Sequence, residues 1–191
     1  MRRRTFTGAL ALGAAASLRP AAAQEWPAKQ IHMVIPYPPG GPSDVSTRIV
    51  MDRAGQILGQ SVLFDNKAGA SGMIGAEYVK NQPVDTYTFL TTTTAMLCIT
   101  RHLQPIPFNP EKDFIPVSRM TTSWGAFAVH PSVPAKTVAE FVAYAKANPG
   151  KINFGSSGLA TITHLFGEML CLEAGIKMVH VPYRGSAPAT N

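Results

Sequence analysis

The sequence predicts an α/β fold on two observations. From Trp26 onward, short runs rich in β-branched residues alternate with stretches of helical periodicity. Two of these runs pass through a glycine-rich loop straight into a helix, at residues 36–44 and 155–164, which we name loop one and loop two. Strands separated by helices are typical of βαβ units with right-handed crossovers. We therefore expect parallel sheets.

Three strands and two helices are predicted before residue 100. Ser43 can cap the first helix, which ends at Gly59, and the second helix ends at Lys80. The predicted strands span residues 31–35, 61–64 and 87–93. Strand, glycine loop and helix together form the first repeating unit.

Prolines mark a boundary in the middle of the chain, because their density favours extended, linker-like structure. They are Pro105, Pro107, Pro110 and Pro116. Beyond them we predict strands at 117–122, 125–129, 152–154 and 178–181, and helices at 138–147 and 161–172. We assign residues 24–122 to a first α/β lobe and 123–191 to a partial second α/β lobe. Two lobes would each need about 100 residues, so we expect the second lobe to be incomplete.

The net charge is misleading as a guide to partners. The chain has 17 basic and 11 acidic residues, a formal charge of +6, but four arginines lie in the first 23 residues. Without that segment, 13 basic residues face 11 acidic ones, or +2. A body so close to neutral gives no reason to expect nucleic acid or an anionic membrane surface as a partner.

Residues 1–23 are predicted to be a signal peptide. Three consecutive arginines precede an apolar run at 6–18, and Ala21-Ala22-Ala23 provides a cleavage site. The apolar run is shorter than the roughly 20 residues that a membrane span requires, so we expect no membrane anchor after processing. The segment at 3–6 also resembles a twin-arginine signal, which leaves the export route open.

The two cysteines, Cys98 and Cys171, each lie in an apolar stretch, which favours buried free thiols over a disulfide. The five histidines form no i,i+4 pair and have no Cys-x-x-Cys companion. We therefore predict no metal site.

Loop one and loop two are the candidate functional segments. Each follows a strand and opens a helix, which points free backbone N–H groups and the positive end of a helix dipole at an anion. The same residues also suit ordinary turns and helix caps. Ligands in open α/β folds bind at the carboxyl ends of strands. An anion site at the two loops and a purely structural role as turns and helix caps therefore both remain open.

Enzyme motifs are poorly matched. A nucleophile elbow at Ser157 would need glycine where Leu159 stands, and no complete Rossmann fingerprint or P-loop is present. His164 follows Ser157 by seven residues, so a Ser–His dyad remains an alternative, although no carboxylate is positioned in the sequence to orient the ring. A serine hydrolase using Ser157 and His164 is the second hypothesis.

Six segments, in order along the chain, resemble the Bug family, the periplasmic solute-binding proteins of tripartite tricarboxylate transporters. Among them are Pro36-Tyr37-Pro38-Pro39-Gly40-Gly41-Pro42-Ser43-Asp44, which is loop one, and Phe154-Gly155-Ser156-Ser157-Gly158, which contains the start of loop two. The segments span residues 26–31, 35–44, 66–76, 108–114, 148–158 and 180–188.

This resemblance implies a two-lobed, Venus-flytrap receptor in the periplasm. Such a receptor closes on a small carboxylate and presents it to a membrane permease, with no catalysis and no cofactor. The resemblance also implies that backbone N–H groups and hydroxyls of the two loops bind the carboxylate. The residues carried over are Gly40, Gly41, Ser43 and Asp44 in loop one and Ser156, Ser157, Gly158, Thr161 and His164 in loop two.

The chain departs from the family pattern at several positions. Ala68 replaces a usual proline, Thr86 a usual glycine, and Leu159-Ala160 a polar residue and a glycine. Family members also continue well past the equivalent of Asn191, so we expect a C-terminally truncated member. A remnant without binding activity is accordingly the third hypothesis.

Overall fold

The computed structural model describes residues 25–190, so the predicted signal peptide lies outside the described residues. The strands are β1 Ile31–Ile35, β2 Val62–Asn66, β3 Thr88–Leu90, β4 Asn153–Ser156 and β5 Val179–Pro182. The α-helices are α1 Pro42–Leu58, α2 Met73–Lys80, α3 Thr100–Leu103, α4 Val138–Ala147, α5 Ile162–Ala174 and α6 Ser186–Thr190. A 3₁₀ turn at Ala70–Gly72 precedes α2, and a π-helical segment at Ala95–Ile99 precedes α3.

The first unit, residues 31–90, is built on a three-stranded parallel sheet in the order β2-β1-β3. In the central strand, Ile31, Val34 and Ile35 are buried. Strands covered by crossover helices read as continuous apolar runs because neither face meets water. The predicted parallel sheet is confirmed here.

The second unit, residues 138–182, contains a two-stranded parallel sheet in which α5 connects β4 to β5. Its core holds Phe141 and Ala145 of α4 with Ile176, which follows α5. The helix predicted at 138–147 has those bounds, and α5 ends at Gly175 in a left-handed conformation that glycine adopts without strain.

The start of α1 differs from the prediction. Gly41 is the N-cap and Pro42 the first helical residue, whereas Ser43 was expected to cap the helix. Proline is favoured at the first helical position because its fixed φ suits the helix and its missing N–H would have no partner there. The predicted end at Gly59 is confirmed by its left-handed conformation.

Two predicted strands are absent from the described residues. Residues 117–122 and 125–129 form no ladder with any of the strands β1 to β5. Trp124, which lies between them, is 96% exposed. High β-propensity does not by itself make a strand, because the backbone needs a neighbouring strand to satisfy its hydrogen bonds. The third predicted strand is also shorter than expected. The lobe boundary after residue 122 stays a prediction.

Cys98 and Cys171 are both free thiols, as predicted, but Cys98 is exposed, so the expectation that both are buried is wrong. Cys98 lies in the π-helical segment, where its neighbours Ala95 and Met96 take the buried positions instead. No helix within residues 25–190 combines the length and apolarity needed to cross a bilayer.

Candidate functional site

Loop one leads from the buried end of β1 to the N-terminus of α1. The first turn of a helix leaves N–H groups that the helix cannot use, and these groups attract anions. In α1 they include the N–H groups of Ser43 and Asp44, since Pro42 has none. Gly40 lies at φ +81°, a left-handed conformation that favours glycine.

Asp44 stabilises loop one from within. Its Oδ2 accepts the Gly40 N–H at 2.9 Å, while its Oδ1 accepts from Arg48 Nε and Asn66 Nδ2, each at 2.9 Å. Burial opposes ionisation of this 3% exposed residue, but the bonds from Gly40, Asn66 and Arg48 outweigh it and lower the pKa of Asp44. Both carboxylate oxygens and the Gly40 N–H are thus engaged in fixing the loop.

Loop two is also internally hydrogen-bonded, but by neutral groups. Ser156 Oγ accepts the Gly158 N–H at 3.1 Å, and Thr163 Oγ1 accepts the Ser157 N–H at 2.9 Å. Thr161 Oγ1 donates to the Gly158 carbonyl at 2.7 Å. Gly158 lies at φ +133°, so this turn suits glycine.

Ser157 pairs with Thr163 rather than with His164. The two hydroxyl oxygens are 2.8 Å apart, and His164 Nδ1 instead accepts the Ala160 N–H at 3.2 Å. The hydrogen bond on which a Ser157–His164 dyad would depend is therefore missing from the described contacts. When Thr163 donates to Ser157, the Ser157 hydroxyl hydrogen is left for an external acceptor.

The two loops lie on the same side of the molecule. Gly72 lies against loop one, since an added Cβ would be 3.4 Å from both Pro36 Cβ and Tyr37 Oη. The adjacent Ser71 reaches loop two, where its hydroxyl donates to the Leu159 carbonyl at 2.7 Å. The turn at Ala70–Gly72 thus connects loop one to loop two.

A second contact joins loop one to the segment after β5. A Cβ added at Gly185 would lie 2.8 Å from Pro38 Cδ, so only a residue without a side chain fits against Pro38 without rearrangement. Two surface cavities, of about 640 and 470 Å³, lie elsewhere and include none of the predicted site residues. They are lined by residues 129–140 and 52–62, respectively.

The sequence analysis missed three contributors to this region. Ser71 links the loops, Thr163 binds Ser157, and His180 Nε2 lies 2.6 Å from Ser156 Oγ. Ser71 and His180 fall within the family-like segments 66–76 and 180–188, so the motifs held a signal for both. Thr163 falls in loop two itself.

Comparison with known proteins identifies the family. Residues 46–191 match the model of the tripartite tricarboxylate transporter family receptor, TctC. The chain belongs to this family. The family resemblance of the six sequence segments is thereby confirmed.

Relatives of this TctC family member are similar to it in both sequence and structure. A UPF0065 protein in the tcbD-tcbE intergenic region of a Pseudomonas species is 34% identical over 191 residues, covering 100% of this chain and 56% of that protein. Rpa4515 of R. palustris, solved with adipate, is 32% identical with a TM-score of 0.79, covering 87% and 56%. The periplasmic binding protein BugD is 29% identical with a TM-score of 0.69, covering 87% and 56%.

The fold prediction is confirmed by these structures, which are periplasmic binding proteins of the same family. The TctC chain described here spans about half the length of the relatives it matches.

Proposed function

We propose that this chain acts in the periplasm as a receptor for a small carboxylate, which it presents to the membrane subunits of a tripartite tricarboxylate-type transporter. The observation that carries the proposal is the convergence of loop one and loop two, linked by the Ser71–Leu159 hydrogen bond. Rpa4515, a protein of similar fold and sequence, was solved with the dicarboxylate adipate. We infer that the converging loops form the ligand site.

Neutral donors supply the recognition in this proposal. On the loop one side, the N–H groups of Ser43 and Asp44 and the positive end of α1 favour a carboxylate. On the loop two side, the Ser157 hydroxyl has a hydrogen to donate when Thr163 donates to it. Arg48 is not the anion-binding group, because it already binds Asp44 and Asn66. Gly40, Gly41, Ser156, Gly158, Thr161 and His164 set the shape of the two loops.

Binding without catalysis is part of the proposal. Ser156 comes closer to a histidine than Ser157 does, but it is only 1% exposed and therefore out of reach of a substrate. Ser157 lacks a histidine partner. Covalent catalysis requires a serine that is both activated by a base and within reach of a substrate, and neither Ser156 nor Ser157 combines the two.

Isothermal titration calorimetry with acetate, succinate, adipate and citrate tests the proposal. We expect saturable binding of at least one acid and no hydrolysis of an ester substrate. Ser157→Ala should weaken binding about tenfold, the value of one charge-assisted hydrogen bond. Ser118→Ala, an exposed serine far along the chain from both loops, is the matched control and should bind normally.

The alternatives predict different results. Ester hydrolysis that disappears in Ser157→Ala would establish the hydrolase hypothesis instead. Absence of binding to all four acids by a chain that melts cooperatively would contradict the receptor proposal. A chain that binds a hydrophobic dye and shows no cooperative melt would be a remnant.

Export through residues 1–23 is a separate part of the proposal. In a Gram-negative host, we expect the chain in the periplasmic fraction with Gln24 as its first residue, determined by N-terminal sequencing. Replacing Arg3 and Arg4 by lysine should block export only if the twin-arginine route is used.

A further inference from the structure

A cluster of aromatic rings includes His164, the last residue of loop two, together with His180 and Phe154. The His164 and His180 rings stack with their centroids 3.9 Å apart and an interplanar angle of 22°. Phe154 stacks on His180 at 5.0 Å, and Gly167 makes room for it, since a Cβ there would lie 2.2 Å from the phenylalanine ring. Each histidine also bonds to loop two, His180 through Ser156 and His164 through the Ala160 N–H.

The bond to Ala160 requires a neutral His164. Nδ1 accepts the Ala160 N–H, so it must carry a lone pair, and the ring proton is on Nε2. Protonation of Nδ1 would remove this acceptor. Ala160 is 1% exposed, so its N–H would then be left without a partner in a buried position, which is unfavourable.

The bond to Ser156 also depends on protonation. The Ser156 hydroxyl has one hydrogen and two possible acceptors, His180 Nε2 at 2.6 Å and the Gly158 carbonyl at 3.1 Å. Neutral His180 can accept that hydrogen. A doubly protonated His180 must donate instead, which turns the hydroxyl toward a Gly158 carbonyl that already accepts from Thr161.

The surroundings disfavour positive charge on His180. Burial, followed by the neighbouring His164, lowers the pKa of His180, and Glu168 offsets part of this effect. Glu168 Oε1 is 3.6 Å from His164 Nε2 and is the acidic group that α5 places beside the rings. Strand β4 contributes only the uncharged Phe154 and Ser156 to this face, and the start of α5 adds the positive end of its dipole.

We propose that His180 is a positioning residue that holds loop two in shape through Ser156, and that proton uptake by His180, which stacks on His164, rearranges this loop. The inference deepens the proposed function, because loop two is one of the two proposed carboxylate-binding loops. Neutral rings keep the Gly158 and Ala160 backbone fixed. Acidification through the histidine range turns the Ser156 hydroxyl from His180 toward the Gly158 carbonyl, which rearranges the loop and makes ligand binding weaker in acid.

An NMR titration of the ligand-free protein from about pH 7.5 to about pH 5 tests the inference, since this range contains histidine titration. We expect the backbone amide signals of Gly158 and Ala160 to move with the same midpoint as the His180 ring signals. Amides that stay fixed while the His180 ring titrates would overturn the inference.

Variants separate positioning from general structure. In His180→Gln, which keeps a hydrogen-bonding group but does not titrate, Gly158 should lose most of its pH-dependent shift. In Ser156→Ala, His180 should still titrate, but Gly158 should not follow it. The second variant decides the question if the first does not fold, and an unchanged Gly158 titration in either folded variant contradicts the inference.

His130→Gln is the matched control. His130 Nδ1 lies 2.8 Å from Ser132 Oγ, so it is a histidine–serine pair on the surface, away from loop two. This variant should leave the Gly158 and Ala160 titrations unchanged. A control that abolished them would contradict a specific role for His180.

Adipate binding, measured with the same proteins, connects the loop to the ligand. The dissociation constant should rise about twofold to tenfold at the acidic end, the equivalent of one lost neutral hydrogen bond. This rise should shrink in His180→Gln. Affinity that stays constant while the amides titrate would overturn the inference. If adipate does not bind at the upper pH, the proposed function fails for this probe and the NMR result alone decides the inference.

Discussion

The two units of this chain bury their sheets to different extents. In the first unit, β1 has a strand on each side, and Val34 is 0% exposed. In the second unit, the sheet has two strands, and Val179 of β5 is 46% exposed. Phe166, Met169 and Leu172 of α5 are exposed as well. A two-stranded sheet is only marginally stable by itself, so the second unit depends more on its helices than the first does.

The difference in burial between the two sheets should have its largest effect on the free energy of unfolding, and matched valine substitutions in β1 and β5 measure it. Val34→Ala should lower the free energy of unfolding by about 2 to 3 kcal/mol, because two methyl groups are lost from a buried site and a cavity remains. Val179→Ala removes the same groups from a half-exposed site and should cost less than about 1 kcal/mol. Urea denaturation followed by circular dichroism measures both.

Equal losses for the two variants would contradict the contrast. They would mean that Val179 is as well packed in solution as Val34. The slope of the transition should also stay the same in both variants, because neither change alters the surface exposed on unfolding by much.

The loops differ in the kind of group that stabilises them, and Asp44→Asn tests this. Loop one depends on an ionised carboxylate with a lowered pKa, so its contribution is complete above the unfolded value of 3.8 and is lost as pH falls through the folded value. Asp44→Asn should cost about 2 kcal/mol near neutral pH, the value of hydrogen bonds to a charge. The difference from the wild type should disappear in stronger acid.

Asp52→Asn on the same helix is the control for this measurement. Asp52 is exposed, so the substitution should change the unfolding free energy by less than about 0.5 kcal/mol. A penalty for Asp44→Asn that persisted in strong acid would show that shape, rather than charge, makes Asp44 important.

Much of the fold was predictable because local signals agreed with tertiary structure. The apolar run of β1, the glycine after α1 and the bounds of α4 are all readable from the sequence. The strands expected at 117–122 and 125–129 failed because strand formation depends on a partner that local sequence does not reveal. Cys98 was misplaced for a related reason, since an apolar stretch does not specify which side of a helix faces the core.

The site was predictable at the level of loops but not of individual contacts. Glycine, serine and threonine after a strand indicated loop one and loop two. The sequence did not indicate that Thr163 rather than His164 would bind Ser157, because both follow within seven residues and only the helix geometry separates them. His180 lies 24 residues from Ser156, and the pair forms only because β4 and β5 are neighbours.

The smallest expected effects on stability come from two residues with a strained backbone, one next to each sheet. Thr86 and Ala160 have positive φ values of 62° and 59°, and the family resemblance leads us to expect glycine at both positions. Thr86→Gly and Ala160→Gly should each raise the free energy of unfolding by about 0.5 to 1 kcal/mol, because glycine adopts this conformation without steric cost.

Ala139→Gly makes the same alanine-to-glycine change at a helical position, where we expect the opposite effect on stability. Ala139 is an exposed residue in the first turn of α4, where glycine costs up to about 1 kcal/mol because the unfolded chain gains freedom and the helix gains nothing. Thermal melts should therefore show Ala160→Gly above the wild type and Ala139→Gly below it. If Ala160→Gly also melted lower, the left-handed conformation at the tip of loop two would not be the conformation in solution.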